Sequence, residues 1–262
     1  FKDRVLFVAV ESQGALPKPM ALRPSRRWLL RSLAAMALST ARGMQMPAAT
    51  GIKSRVFCYG DSLTAGTAVP EDGLFPYSPH LERVLTSRGI PVLVRHRGLP
   101  GWSAAAMLDN RDDESAGLRA SLRKITDPSP ALAVILAGTN DLGYEPRMQD
   151  LLQSLTGLHE TAHHEGVPTL AIAIPPSYWQ VQSKAAAALA RDTNDALREW
   201  CSKRADVTRF VPFPIDAWRG SKADDAHLWS PDGLHFSSEG YRFVGEALAD
   251  PVEAALRDFA SK

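Results

Sequence analysis

The segment Ala131-Leu132-Ala133-Val134-Ile135-Leu136-Ala137 carries no polar side chain. A strand with one wet face alternates in polarity, whereas a strand that is apolar throughout needs cover on both faces, the condition found inside a parallel sheet. Parallel strands cannot be joined by tight hairpins, so longer crossovers, usually helical, must carry the chain between them. The sequence provides these. Apolar, partly β-branched runs at 55–59, 91–97, 167–174 and 207–211 predict four further strands. Between and after them, helical spacing covers 77–88, 104–108, 115–125, 148–165, 184–204 and 238–260, with a bend expected near Pro251. This order predicts one open, five-stranded parallel sheet with helices on both faces, a three-layer α/β/α architecture. In such sheets ligands bind beyond the carboxyl ends of the strands.

Charge separates the first fifty residues from the rest. Residues 1–49 hold eight of the 30 Lys and Arg but two of the 29 Asp and Glu, so the chain from residue 50 onward is mildly acidic. That balance gives no electrostatic reason to expect a nucleic-acid partner. No Asp or Glu occurs between Ser12 and Gly60; Arg23, Arg26, Arg27 and Arg31 precede or interrupt the apolar run Trp28–Leu38, and small residues follow. This is the anatomy of a targeting peptide. Ser25-Arg26-Arg27-Trp28-Leu29-Leu30 resembles a twin-arginine export signal, while an acid-free, Arg- and Ser-bearing segment equally resembles an organellar transit peptide. Residues 1–50 are therefore expected to be a leader, with export or an organelle as its destination, and 51–262 the folded domain. The apolar run is shorter than the roughly 20 residues of a transmembrane helix, so no integral membrane span is expected. Two cysteines, Cys58 in an apolar run and Cys201 in a helical, charged one, allow at most one bridge.

Four short segments hold residue types that carry chemistry. Gly60-Asp61-Ser62-Leu63 follows the first strand and puts Ser62 at its carboxyl end. A serine there is either a helix cap or, with a base to take its proton, a nucleophile. Ser230-Pro231-Asp232-Gly233-Leu234-His235 precedes the last helix. Asp232 and His235, three apart, can point the same way, so that the carboxylate holds one imidazole nitrogen and leaves the other free as a base; Pro-Asp-Gly is equally a turn. Gly138-Thr139-Asn140-Asp141 follows the third strand, and the Asn140 amide can donate to a developing oxyanion or simply occupy a tight turn. Gly98-Leu99-Pro100-Gly101-Trp102 follows the second strand, where a glycine lets a backbone N–H come close to a substrate. Each segment is ambiguous alone. Together they fall on one edge of one sheet and make up the inventory for acyl transfer: nucleophile, base, orienting acid and two oxyanion donors.

The order and spacing of these blocks resemble the SGNH, or GDSL, hydrolase family over residues 55–248. The resemblance implies a flavodoxin-like fold, no cofactor or metal, and a small-molecule ester as substrate. Residue by residue, it implies a Ser62–Asp232–His235 triad and an oxyanion hole from the backbone N–H of Ser62, a glycine and the side chain of Asn140. Gly101 matches that glycine better, with Gly98 the alternative. Three kinds of activity fit: an esterase of small or medium acyl groups, including a carbohydrate acetylesterase; a lysophospholipase or acyl-thioesterase; or a silent binding module, against which the intact triad argues. Oligomeric state is not legible.

Three further features stand outside this scheme. His159 and His163 are spaced i, i+4 beside His164, but no acidic motif joins them, so a solvated helix face is expected. Asp61 and Asp141 flank the site as turn and hydrogen-bonding residues. Trp102, Tyr178, Trp179, Trp218 and Trp229 are expected in loops near the active edge.

Overall fold

The computed structural model describes residues 54–70 and 73–260; the leader expected at 1–50 lies outside them. Five parallel strands, β1 (Ser54–Gly60), β2 (Val92–Gly98), β3 (Pro130–Leu136), β4 (Thr169–Ile172) and β5 (Thr208–Val211), form one sheet in the order β2-β1-β3-β4-β5. This is the flavodoxin-like, doubly wound order. β3, the run free of polar side chains, is a central strand between β1 and β4.

Successive strand residues point to opposite faces, and the core accordingly divides into two clusters. Val56, Cys58, Val94, Leu132, Val134 and Leu136 pack beneath α2 (Ser78–Ser87), α8 (Ser238–Ala247) and α9 (Ala249–Ala260). Phe57, Tyr59, Ala133 and Ile135 pack beneath α3 (Ala104–Asp109), α4 (Leu118–Lys124), α5 (Met148–His164) and α7 (Lys184–Ser202). Both faces of β3 are thus covered, as its sequence requires. Cys58 and Cys201 are buried free thiols on opposite faces of the sheet, so the one possible bridge does not form.

Several expectations need adjustment. β4 spans Thr169–Ile172 and not all of 167–174, because it pairs only with the short β5 on one side. The last helix is two: the break falls at Leu248, and Pro251 sits in the first turn of α9, where a missing N–H costs little. Two short helices, α1 (Ser62–Ala65) and α6 (Tyr178–Gln182), occupy segments read as turn and loop. Among the described residues no helix is long and apolar enough to cross a membrane.

Candidate active site

The carboxyl ends of β1, β2 and β3 deliver three of the four blocks to one edge, and the loop before α8 delivers the fourth. The turn after β1 resolves the ambiguity at Ser62. The N-cap of α1 is Asp61, whose Oδ1 accepts the Leu63 N–H at 2.9 Å. Ser62 is therefore the first residue of the helix and its hydroxyl is free for another partner. That partner is His235, with Nε2 2.9 Å from Ser62 Oγ. His235 Nδ1 lies 2.7 Å from Asp232 Oδ2. With the imidazole proton on Nδ1 and donated to Asp232, Nε2 is left to accept from Ser62.

Asp232 is held from both sides. Its other oxygen, Oδ1, accepts the backbone N–H groups of Leu234 and His235 at 2.9 and 3.0 Å. Partial burial opposes ionisation, but the His235 side chain and these two amides outweigh it and keep the carboxyl below the usual range. The loop is pinned in turn: Ser230 Oγ donates to Phe236 O and accepts the Val69 N–H. Ser230 was not singled out from sequence; a serine opening a Pro-Asp-Gly turn was the available signal.

The two remaining blocks meet above the sheet. Asn140 Nδ2 donates to Trp102 O at 3.0 Å. Asp141, buried, accepts the Ala104 N–H at 2.9 Å through Oδ2. The Asn140 loop is thereby tied at two points to the segment that carries Gly101. The two candidate glycines differ. A Cβ on Gly98 would meet the backbone of Ala65 at 2.1 Å, so Gly98 is needed for α1 to pack on β2. Gly101 has φ +79° and open space at its Cβ position; it holds a left-handed turn that no packing demands. It lies one residue from the Trp102 carbonyl that Asn140 touches.

Asp61 does more than form a turn. It is fully buried next to Ser62, and burial, partly offset by the Leu63 N–H, pushes its carboxyl up to about 7. The Thr139 hydroxyl adjoins it, yet neither Asp61 Oδ2 nor Thr139 Oγ1 completes a hydrogen bond among the described residues.

The aromatic residues do not all line the edge. Tyr178 packs on Trp218 with ring centroids 4.6 Å apart, and its N–H donates to Gly233 O within the triad loop. Trp179 reaches toward Leu142 O. Trp229, by contrast, belongs to the core, its ring tilted against Phe236 with centroids 4.8 Å apart.

His159 and His163 of α5 overturn the expected solvated face, whereas His164 is exposed as expected. His159 is buried, with Nδ1 2.9 Å from Thr169 Oγ1, and His163 Nε2 is 3.0 Å from the same oxygen. Thr169 donates onward to Thr208, and Trp200 lies against both rings. Among the described residues no three His, Cys, Asp or Glu are grouped to hold a metal ion.

A model of the GDSL-like lipase/acylhydrolase family matches residues 58–243. Solved structures agree in fold. A native aryl esterase of M. smegmatis is 21% identical with TM-score 0.58, over 77% of this chain and 99% of that one. A family 3 carbohydrate esterase of Clostridium thermocellum is 19% identical with TM-score 0.58, over 78% and 97%. A GDSL-like lipase of Bacteroides thetaiotaomicron is 18% identical with TM-score 0.56, over 77% and 89%. No curated protein matches the chain.

Proposed function

The chain belongs to the GDSL-like lipase/acylhydrolase family and is a carboxylic ester hydrolase, and from that premise we propose that it works through an acyl-enzyme on Ser62. The observation that carries the reading is the unbroken chain from Asp232 Oδ2 to His235 Nδ1 at 2.7 Å and from His235 Nε2 to Ser62 Oγ at 2.9 Å. Ser62 Oγ attacks the ester carbonyl as its proton passes to His235 Nε2. Asp232, ionised because three N–H groups hold its charge, stabilises the imidazolium. Negative charge moves to the carbonyl oxygen, where the N–H groups of Ser62 and Gly101 and the Asn140 amide receive it. To do so, Asn140 must share or release its bond to Trp102 O.

Collapse of the tetrahedral species breaks the bond to the alcohol oxygen, which takes the proton from His235 and leaves. Water, deprotonated by the same Nε2, then attacks the acyl-Ser62 ester; the bond to Ser62 Oγ breaks, Oγ takes the proton back from His235, and the acid is released. The substrate is a small-molecule ester.

A fluorophosphonate probe should label the wild type at Ser62 alone and leave Ser62→Ala unlabelled, with turnover of a p-nitrophenyl ester lost in the same variant. Labelling elsewhere, or full turnover by Ser62→Ala, overturns the assignment.

A further inference from the structure

The outer strand β2 carries Arg95-His96-Arg97, exposed in a row. Register places Arg95 beside Phe57 and Arg97 beside Tyr59, so both arginines lie on the sheet face that packs under α4. At a rise of about 3.3 Å per residue, their Cα atoms stand about 7 Å apart. Between this face and α4 opens a cleft of about 600 Å³. Phe57 and Ile125 supply apolar wall; Arg55, Arg95, Arg97 and Lys124 line it against one carboxylate, Glu114. None of the triad residues or oxyanion donors borders it.

The charges do not cancel. Glu114 is held by Lys124 at 2.8 Å. Asp113, next to it in the chain, accepts the Ser115 hydroxyl and the N–H groups of Ser115 and Ala116. Arg95 and Arg97 are left with no ion-pair partner among the described residues. Arg55 donates through Nη2 to the Asp127 carbonyl, while its buried Nε finds no acceptor among the described residues. His96, between the two arginines, is pushed below its ordinary value, by burial first and then by their charges. The chain from residue 50 onward is acidic overall, so this concentration of cations is local. Residues 1–49 carry an excess of the same sign, the wrong one to fill the cleft.

We propose that this cleft binds a compact, soluble polyphosphate, with Arg95 and Arg97 each holding a separate phosphate group. A guanidinium fork matches a phosphate in bidentate fashion, and the spacing along the strand keeps the two forks on neighbouring groups of one ligand. A concave site of this volume suits a small molecule, which favours a dissolved anion over the headgroup layer of a membrane. The site stands apart from the ester-hydrolase reading and does not depend on it.

The test is isothermal titration calorimetry of the full chain with tripolyphosphate and with inorganic phosphate, at about 0.15 M salt so that loose surface attraction is screened. Tripolyphosphate should bind wild type roughly tenfold or more tighter than inorganic phosphate, because it can engage both arginines. Arg95→Gln/Arg97→Gln should lose roughly tenfold or more in tripolyphosphate affinity, with the melting temperature of the free protein unchanged, since both side chains are exposed. Glu114→Gln should move the other way and tighten binding severalfold, because it removes the opposing carboxylate and releases Lys124. Wild type that binds no tripolyphosphate at this salt, or a double variant that binds it equally well, overturns the proposal. Capture by vesicles bearing a phosphoinositide, dependent on Arg95 and Arg97 but without binding of free tripolyphosphate, overturns the soluble ligand.

Discussion

Two histidine clusters sit in this molecule, and only one has the arrangement that the proposed chemistry needs. His235 has a carboxylate on Nδ1 and a hydroxyl on Nε2, and its side chain keeps 14% of its surface open. His159 has a threonine hydroxyl on Nδ1, a histidine neighbour, and almost no exposure. Burial, with His163 adding to it, pushes His159 down to about 3. An imidazole that cannot accept a proton near neutrality cannot serve as a base. What separates the clusters is the group opposite the ring and the opening above it: a carboxylate faces Nδ1 of His235, a threonine hydroxyl faces Nδ1 of His159.

The sharpest way to break this contrast is to delete each ring in turn. His235→Ala should cost roughly 10⁴–10⁶ in kcat with an unaltered melting temperature. His159→Ala should do the reverse, destabilising by about 2–4 kcal/mol through an emptied, polar-lined cavity while folded enzyme keeps kcat. Chemical denaturation and initial rates on one short ester read both. Comparable losses of activity in the two variants would erase the distinction.

Smaller effects should grade outward from the triad. Asn140→Ala removes one oxyanion donor and should lower kcat by about 10²–10³. Asp141→Ala keeps the Asn140 side chain but frees the Ala104 amide, loosening one of the two ties that position the Asn140 loop. It should cost about tenfold in kcat with little change in KM, because misplacement of a donor weakens only what is bound in the transition state. If Asp141→Ala instead raises KM alone, the staple between the two loops positions substrate and not the oxyanion donors.

How much of this was legible follows from what each feature depends on. Strand order and the four blocks could be read because apolar runs and Gly-bounded turns are local signals: β3 needed only its seven side chains. The proposed triad could be assembled from sequence because each of its members follows or precedes a recognisable element. The cap at Asp61 could not, since Asp61 and Ser62 are both good N-caps and only the geometry of the turn chooses. α6 was missed because five residues with no buried face carry no periodicity. His159 was misjudged although the signal existed: it falls four residues after Leu155 and eight after Leu151, on the stripe that α5 buries. A histidine on that stripe belongs to the core, and here Thr169 is the group that makes it tolerable.

The gentlest test of the contrast is pH. His159, low in the folded state, stays neutral where the unfolded chain, with an ordinary value of 6.5, binds a proton. Its contribution to stability is therefore complete above 6.5 and is lost as pH falls toward 3. Asp61, beside the nucleophile, is displaced the other way, from 3.8 to about 7. Its neutral form is the one the fold accommodates, so its contribution is complete below 3.8 and is lost as pH rises toward 7. Between 3.8 and 6.5 the two slopes oppose, each at most about 1.4 kcal/mol per pH unit. His159→Gln should uncover Asp61, giving a protein that grows less stable from pH 4 toward neutrality. Asp61→Asn, which can still cap α1 through its amide oxygen, should uncover His159 and lose stability as pH falls below 6.5. The groups facing Asp61, namely His235, Asp141 and Thr139, remain in both variants, so difference curves against wild type isolate each slope. Parallel curves for all three proteins would mean that neither burial governs titration, and that the contrast between the poised and the silent cluster rests on hydrogen-bond geometry alone.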